Sequence, residues 1–579
     1  MLCESEEMNM KKSVKYILLC VCAALCLTLF AATALAVPAA PGSGREGQEA
    51  ACRSRTGTLV TLDDIPDRAV PKGTRAYIPA LEHTTKNIPL LTIVIGFPNV
   101  PYHDDYDWNE AFFSGEKSIT AYYSDMSFGK FTFVPAQETC AFGGADTNRA
   151  DKANDGVIHV TLDTPHYDWS MNYGLFSQRK DRKLALQMVN AFKAALEKAS
   201  DYIDFTAYDE DGNGTIESTE LALSFVVAGY EGAYLESYDA VGVEKVLWAH
   251  ASNLVTLIEE YGFDVANPQP DGVTVSEYIA VAEELEPGLQ QPISTVAHEL
   301  GHYLGLPDLY DSAYLTGAQW SSYFIDTASV MCSGWGYDPD TDGFAPYSMD
   351  VWSRYRLGWV EPVTADATGV YDVITQSYTA NDAFTAVMIP TQKTGEYYLL
   401  ENRQPNKWDA GMTTSYEGAS RIHGVMLWHI DENAYEQYKE LNAVNSANHR
   451  PAVMPLFPEE EKGAVTFTGV GNVYNGNPFY DRTYCIEKLE LADATIDLPL
   501  YGTGNMADQR ICRWSSGIKV EFLDDSAADM RVRVDRDDMA PLANENECMY
   551  CHKVHTGFFG NIVAYFHRIF YVLKSLFGR

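Results

Sequence analysis

The stretch Ala297-His-Glu-Leu-Gly-His-Tyr-Leu-Gly-Leu-Pro-Asp308 determines how the middle of this chain is organised. His298 and His302 are four residues apart, so on a helix they lie on one face with Cβ atoms about 5–6 Å apart. That spacing allows two imidazole nitrogens to bind one zinc ion at about 2.0–2.1 Å. Glu299 follows the first histidine and can take a proton from a water molecule at the metal. The pattern predicts a hydrolytic zinc site.

The residues around this motif support a helix that ends in time to return a third ligand. Ser294 or Thr295 is predicted to cap its start. Gly305 and Pro307 are residues that end helices, and Asp308 follows them as the predicted third zinc ligand. Apolar residues at helical spacing form a core-facing stripe, namely Val296, Leu300, Tyr303 and Leu304. A His-Glu-x-x-His string that arose by chance would not require these additional features.

A methionine follows downstream, within the segment Ala328-Ser-Val-Met-Cys-Ser-Gly334. Metzincin zinc proteases carry a methionine-bearing turn beneath the metal, and Met331 is predicted to be that residue. Considered without the helix, an ordinary core methionine is the better interpretation. Beyond it, Tyr337 and Tyr347 are candidates to donate a hydrogen bond to an oxyanion.

The longer stretch from His298 to Asp311 resembles the signature of the immune-inhibitor-A family of bacterial secreted metallopeptidases. Other stretches that resemble this family are Ser127-Phe-Gly-Lys130, Trp248-Ala-His250, Trp352-Ser-Arg-Tyr-Arg-Leu-Gly-Trp359, Glu396-Tyr-Tyr-Leu-Leu-Glu-Asn-Arg-Gln404 and Gly424-Val-Met-Leu-Trp-His-Ile-Asp431. The resemblance implies a metzincin-like α+β catalytic domain, endopeptidase activity on proteins or peptides, and bound zinc and calcium. The chain departs from the commoner metzincin pattern in having aspartate rather than histidine as third ligand.

A second metal motif begins at Asp209. The segment Asp209-Glu-Asp-Gly-Asn-Gly-Thr-Ile-Glu-Ser-Thr-Glu220 matches the twelve-residue calcium loop. The predicted calcium ligands are Asp209, Asp211, Asn213, the Thr215 carbonyl, Glu217 and Glu220. The apolar, β-branched run after it, Leu221 to Gly229, predicts a core strand in place of an EF-hand exit helix. We therefore expect a structural calcium site and not a sensor, with a merely acidic turn as the alternative.

Composition limits the class of partner. The chain has 579 residues, with 42 Lys plus Arg against 80 Asp plus Glu and a net charge of −38. This acidity argues against a nucleic-acid partner and is typical of a soluble exported protein.

The N-terminus is predicted to be an export signal. Residues 1–36 combine Lys11 and Lys12, an apolar run and the cleavage motif Ala34-Leu-Ala36. An uncleaved membrane anchor is the alternative, because Ile17 to Leu35 carries no charge. Of 11 cysteines, seven remain after cleavage, and the sequence does not determine how they pair.

The rest of the chain divides by pattern. Strands are predicted at Leu91–Phe97 and Lys130–Val134, and helices at Ser118–Met126 and Lys183–Ser200. From Val360 to Val534 the pattern changes to short alternating runs, which predict β-rich structure that partly completes the catalytic domain and partly forms an appended sandwich-like module. The predicted domains are a signal peptide 1–36, a leader or propeptide 37–87, a zinc peptidase domain 88–435, a β-rich region 436–539 and a tail 540–579.

The tail contains Cys548-Met-Tyr-Cys551-His552 and an amphipathic, basic segment. The segment 557–579 predicts association with a membrane surface or cell envelope, and docking on the protein's own body is the alternative. The cysteine string also matches a haem attachment site, which makes an electron carrier one alternative class. A calcium-stabilised cell-surface binding protein that does not cleave is another. The sequence best supports a secreted zinc-dependent endopeptidase in which Glu299 is the general base.

Overall fold

The computed structural model describes residues 35–36, 86–139, 153–166, 179–232, 245–310, 325, 328–332, 334–339, 343–378, 383–391, 395–411, 424–439, 442–445, 452–455, 458–459, 466–467, 495–500, 514–524 and 528–536. Its α-helices are α1 Ile119–Met126, α2 Arg179–Ala199, α3 Leu254–Tyr261, α4 Ile293–Tyr303, α5 Val351–Arg356 and α6 Glu432–Tyr438. Shorter helical turns are Glu110–Ser114, Phe205–Tyr208, Pro270–Gly272 and Lys407–Asp409.

The described strands up to residue 346 are β1 Leu35–Ala36, β2 Ile88–Gly96, β3 Phe133–Pro135, β4 Val157–Thr161, β5 Thr215–Ile216, β6 Ala222–Glu231, β7 Val246–Leu247, β8 His250–Asn253, β9 Thr274–Val275, β10 Glu277–Glu286, β11 Leu289–Gln290, β12 Trp335–Asp338 and β13 Gly343–Pro346. The remaining strands are β14 Val363–Thr364, β15 Gly369–Ile374, β16 Val387–Pro390, β17 Glu396–Arg403, β18 Gly424–Asp431, β19 Val453–Pro455, β20 Pro458–Glu459, β21 Thr466–Phe467, β22 Thr495–Leu500, β23 Trp514–Phe522 and β24 Asp529–Arg536.

A central sheet carries the site. Its strand order is β1-β8-β10-β6-β2-β3, with β4, β7 and β11 attached at its sides. Strands β10, β6, β2 and β3 run parallel, whereas β8 is antiparallel to β10. Strand β2 is buried along its length, as expected for a parallel strand covered on both faces. The predicted strand at Leu91–Phe97 is therefore confirmed.

Helices cover both faces of this sheet. Alternate side chains of β2 enter two different cores, because successive residues of a strand point to opposite faces. Leu90 and Val94 pack in one core with residues of α1 and α4. Ile93 and Ile95 pack in the other core with residues of α2 and α3. The helix that carries His298 thus lies on one face of the sheet, and the predicted mixture of α and β elements is confirmed.

Two further sheets follow. The order of one is β14-β16-β17-β18-β19, and the order of the other is β15-β24-β23-β22. In β17, Leu399 faces the core that contains α4, whereas Leu400 faces a third core shared with β23 and β24. This sheet therefore connects the core around α4 to strands β23 and β24.

Two local expectations fail. The helix that carries His298 begins at Ile293 with Pro292 as its N-cap and no side-chain cap bond, so the predicted capping by Ser294 or Thr295 is wrong. Both residues are buried within the first turn instead. The strand predicted at Lys130–Val134 is only the three residues of β3.

Several predictions lie outside the described residues. They are the signal run before Leu35, the tail 540–579 with its cysteine string, and most of the leader 37–87. The separate β-rich module and its boundary at residue 435 stay predictions. Among the described residues, no helix combines the length and the apolar composition needed to cross a bilayer.

Candidate metal centre

The two histidines of the motif lie on α4, which is buried along its whole length between the central sheet and the strands that follow. His298 and His302 are one helical turn apart, and their imidazole Nε2 atoms are 3.0 Å apart. Glu299, which follows His298 on the helix, is fully buried. The helical periodicity that predicted a shared face for the two imidazoles is thus realised.

The chain then turns sharply to return Asp308. The Gly305 amide donates to the His302 carbonyl, and the Leu306 amide donates to the Gly301 carbonyl. Gly305 has φ +87°, a left-handed conformation that favours glycine because other residues carry a Cβ. This turn brings Oδ1 of Asp308 to 3.2 Å from Nε2 of His298 and 3.1 Å from Nε2 of His302.

These three donor atoms suit a zinc ion. Donors bound tetrahedrally at about 2.0 Å are about 3.3 Å from one another. The three separations here are 3.0, 3.1 and 3.2 Å, so one ion can contact all three atoms with small outward movements. Two imidazole nitrogens and a carboxylate oxygen are also a donor set that zinc accepts. The group is compatible with a bound metal.

The orientation of each imidazole is fixed from behind. Nδ1 of His298 lies 2.7 Å from the Val330 carbonyl, and Nδ1 of His302 lies 2.8 Å from the Leu306 carbonyl. A carbonyl only accepts, so each Nδ1 carries the proton and each Nε2 keeps its lone pair for a metal.

The charges of the site also suit a cation. Burial lowers the pKa of His298, which favours the neutral, metal-binding form of its imidazole. Burial alone would raise the pKa of Asp308, but the adjacent imidazoles of His302 and His298 outweigh it and lower that pKa. The carboxylate is therefore anionic at neutral pH.

Met331 lies directly under the helix. A Cβ added at Gly301 would overlap the Met331 sulfur and lie 3.1 Å from its terminal methyl carbon, so the absent side chain of Gly301 leaves room for this methionine. The Met331 carbonyl accepts from the Leu309 amide at 2.8 Å, and the preceding Val330 carbonyl faces His298. This turn therefore contacts both the helix and the segment that carries Asp308.

A buried ion-pair network holds the turn in place. Arg403 donates to the carbonyls of Ala328 and Ser348 and to both carboxylate oxygens of Asp409. The Ser329 hydroxyl donates to Asp350 at 2.6 Å. A bidentate arginine–carboxylate pair is directional, so this network restrains where the methionine turn can lie.

One residue that contacts a predicted ligand, Asn442, was not predicted from the sequence. Nδ2 of Asn442 donates to Oδ2 of Asp308 at 2.5 Å, and Oδ1 of Asn442 accepts from the Asp308 amide at 2.8 Å. Asn445 donates to the Leu309 carbonyl at 3.0 Å. No local pattern signals these contacts, because the asparagines follow the aspartate by more than 130 residues.

His250 and the candidate tyrosine Tyr347 are not part of the group of three metal donors. The buried His250 contacts the Trp248 carbonyl and the Tyr278 hydroxyl and is not in the group of possible metal ligands. The Tyr347 hydroxyl donates to the Gly411 carbonyl at 2.9 Å. In this arrangement that proton is engaged by a backbone carbonyl. The Tyr337 side chain is outside the described part of the chain.

The predicted calcium ligands lie in a tight loop just before β6. Carboxylate oxygens of Asp209, Asp211 and Glu220 lie within 4.8 Å of one another. Asn213 contacts Asp211 and Glu217 through its amide nitrogen, at 3.0 Å and 2.7 Å. The predicted ligands Thr215 and Asn213 are adjacent as well, since the Thr215 amide donates to Oδ1 of Asn213 at 2.8 Å.

The loop has the shape and charge of a cation site. Gly214 has φ +84°, which the sharp turn requires. Burial, followed by the neighbouring Glu217, raises the pKa of Glu220. Crowded carboxylates of this kind repel one another unless a cation neutralises them.

Comparison with known proteins identifies the region that contains both sites. Residues 80–360 match the catalytic domain of the immune inhibitor A peptidases, family M6. This region belongs to the immune inhibitor A family. The chain therefore carries a metallopeptidase domain, and the family resemblance of the zinc motif is confirmed. His298, Glu299, His302, Asp308 and the calcium loop all lie inside the immune inhibitor A match, whereas Asn442 lies outside it.

Two curated relatives are similar to part of the chain. Both are the pre-pro-metalloprotease PrtV of Vibrio cholerae serotype O1, from strains M66-2 and ATCC 39315 / El Tor Inaba N16961. Each is 25% identical over 158 residues, which are 27% of this chain and 16% of the relative. The match thus spans less than a fifth of the length of these relatives.

One solved structure is also similar. It is the catalytically inactive OgpA of Akkermansia muciniphila in complex with an O-glycopeptide substrate, with 12% identity and a TM-score of 0.22 over 65% of this chain and 89% of that chain. A likeness at this level does not bear on the chemistry of the immune inhibitor A site.

Proposed function

We propose that this protein is a secreted zinc-dependent endopeptidase in which His298, His302 and Asp308 hold the zinc and Glu299 is the general base. The observation that carries the proposal is the convergence of three donor atoms, two of them on the helix that also carries the fully buried Glu299. A binding protein that does not cleave has no need of Glu299. The substrates are proteins or peptides.

The chain's own residues account for proton movement. Zinc, when bound, polarises the scissile carbonyl and makes water acidic enough to react near pH 7. A carboxylate oxygen of Glu299 takes the proton of the attacking water and then delivers it to the nitrogen of the departing amine. The Nδ1–H groups of both histidines donate to backbone carbonyls, which leaves each Nε2 lone pair directed at the metal position. Burial of Glu299 strengthens its interactions with the reacting atoms.

The test of the base is Glu299→Gln, which keeps the size of the side chain but cannot accept the proton. Zinc content should stay near that of the wild type, while cleavage of casein should fall by about 10²-fold or more. Treatment of the wild type with a zinc chelator should abolish cleavage, and added zinc should restore it. Cleavage by the variant at the wild-type rate would contradict the assigned role of Glu299.

We also propose that the loop 209–220 binds a structural calcium ion. The clustered oxygens of Asp209, Asp211 and Glu220 support it. Strand β5 lies inside this loop and pairs with β9, and the core strand β6 begins directly after it. A cation there would hold together a turn that otherwise concentrates negative charge, and the effect would be on stability and not on the chemical step.

Export is part of the proposal. It rests on the signal-like residues 1–36 and on the similarity to proteins that are named pre-pro-metalloproteases. The name of those relatives describes a precursor with segments to be removed. Removal of a leader between residue 36 and the catalytic domain is proposed for this chain on the same ground.

A further inference from the structure

The third predicted zinc ligand presents its two carboxylate oxygens to different neighbours. Oδ1 of Asp308 faces the Nε2 atoms of both histidines. Oδ2 accepts a hydrogen bond from the side-chain amide of Asn442. Asp308 is 1% exposed and Asn442 is 5% exposed, so solvent does not compete for these atoms. A buried hydrogen bond to an ionised carboxylate is stronger than a neutral one.

The backbone of the same segment is held on both sides. The Asp308 amide donates to Oδ1 of Asn442, and the Leu309 amide donates to the Met331 carbonyl. The Leu309 carbonyl accepts from Asn445. Asn442 therefore contacts Asp308 twice, once at the backbone and once at the carboxylate. Asn445 contacts this segment only at the Leu309 carbonyl, and its other hydrogen bonds are with Val453.

Asn442 is itself fixed by the end of a helix. The backbone amide of Asn442 donates to the Lys439 carbonyl, and that of Ala443 donates to the Tyr438 carbonyl. Both bonds close the last turn of α6. Asn442 has φ +46°, a left-handed conformation that asparagine tolerates better than most residues. A side chain held in this way has little freedom to rotate away from Asp308.

We propose that Asn442 is a positioning residue for the metal centre, which holds Oδ2 of Asp308 so that Oδ1 alone is presented to the metal. This inference rests on the proposed zinc site. Without the side-chain amide of Asn442, the Asp308 carboxylate can rotate. Zinc binding must then order this carboxylate again, which reduces the affinity for zinc. Loss of hydrogen-bond partners behind metal ligands typically reduces metal affinity by about 10–100-fold.

Two substitutions remove the side-chain amide of Asn442, and they differ in how well the new residue adopts the backbone conformation. Asn442→Gly keeps the left-handed conformation easily, whereas Asn442→Ala strains it. The matched control is Asn445→Ala, which removes a buried side-chain amide that contacts Leu309 and Val453 but not the Asp308 carboxylate. Asp308→Ala serves as the reference for loss of a direct ligand.

The measurement is the zinc dissociation constant at fixed pH, by competition with a chromophoric chelator, together with the melting temperature of each metal-free protein. Both Asn442 variants should bind zinc about 10–100-fold more weakly than the wild type. The zinc dissociation constant of Asn445→Ala should be within a few-fold of the wild-type value. This should hold even if its metal-free melting temperature falls as far as those of the Asn442 variants. If Asn442→Gly does not fold, Asn442→Ala carries the test.

The outcomes separate the two proposals. Wild-type binding with an unchanged dissociation constant in the Asn442 variants overturns the positioning role and leaves the zinc site standing. Equal losses of affinity in Asn442→Gly and Asn445→Ala also overturn it, because they indicate a general loosening of the segment. Absence of zinc binding by the wild type overturns the proposed function itself.

Discussion

Gly301→Ala tests whether Met331 lies under the metal-binding helix. The added Cβ would overlap the Met331 sulfur, and Met331 is fully buried, so the methionine must move against packed neighbours. Inserting a methyl group into a filled core costs about 1–3 kcal/mol. Replacing a glycine by alanine within a helix contributes about 0.8–1.0 kcal/mol in the opposite direction. The net destabilisation should therefore be roughly 0.5–2 kcal/mol.

A double-mutant cycle isolates the overlap. Met331→Ala alone should destabilise by about 2–5 kcal/mol because it leaves a cavity. In that background the new Cβ at position 301 has space, so Gly301→Ala should become neutral or stabilising. The coupling between the two sites should be on the order of 1–3 kcal/mol.

The assay is thermal unfolding of the wild type, both single variants and the double variant. All four are compared in a chelator, so that differences in metal binding do not contribute. Each kcal/mol corresponds to about 2–4 °C in a domain of 150–250 residues. If Gly301→Ala lowers the melting temperature equally in both backgrounds, the added Cβ does not overlap Met331.

Two further predictions concern metal and pH. Asp209→Ala combined with Glu220→Ala should lower the melting temperature and remove its dependence on calcium, since a ligand that binds only the folded state stabilises it; identical melting of wild type and variant in calcium would show that the loop is an acidic turn only. Burial raises the pKa of Glu283 from 4.5 to about 8, so the folded state holds a proton that the unfolded state has lost, and stability falls as pH rises between these values. Glu283→Gln keeps the acceptor for the His103 amide and should flatten this slope, measured as melting temperature from pH 5 to pH 9; an unchanged slope would assign the pH dependence to other groups.

The sequence predicted the parts of the site that depend on local spacing. His298 and His302 share a face because of helical periodicity, and Gly305 supplies the left-handed residue that the turn requires. The calcium loop is likewise a local pattern of twelve residues. Such features are specified by neighbours in the chain, so a single sequence contains the information to predict them.

Contacts between distant residues could not be predicted in this way. Asn442 could have been expected at a helix C-terminus, but nothing local connects it with Asp308. The same applies to β15 and β24, where Gly369 pairs with Val534. Alternation predicted both strands, whereas pairing depends on how the whole chain folds. The predicted N-cap was wrong because Pro292, directly before the helix, already has the extended conformation of an N-cap residue.

The metal centre is assembled from more of the chain than the zinc motif suggests. The match to the immune inhibitor A catalytic domain ends at residue 360, and the predicted domain ends at residue 435. Asn442 and Asn445 lie beyond both limits and contact the segment that carries Asp308. They follow α6, which begins where β18 ends, and Trp428 of β18 packs in the same core as α4. The part of the chain after residue 360 therefore packs against α4 through Trp428 and also contacts Asp308, the proposed third zinc ligand, through Asn442.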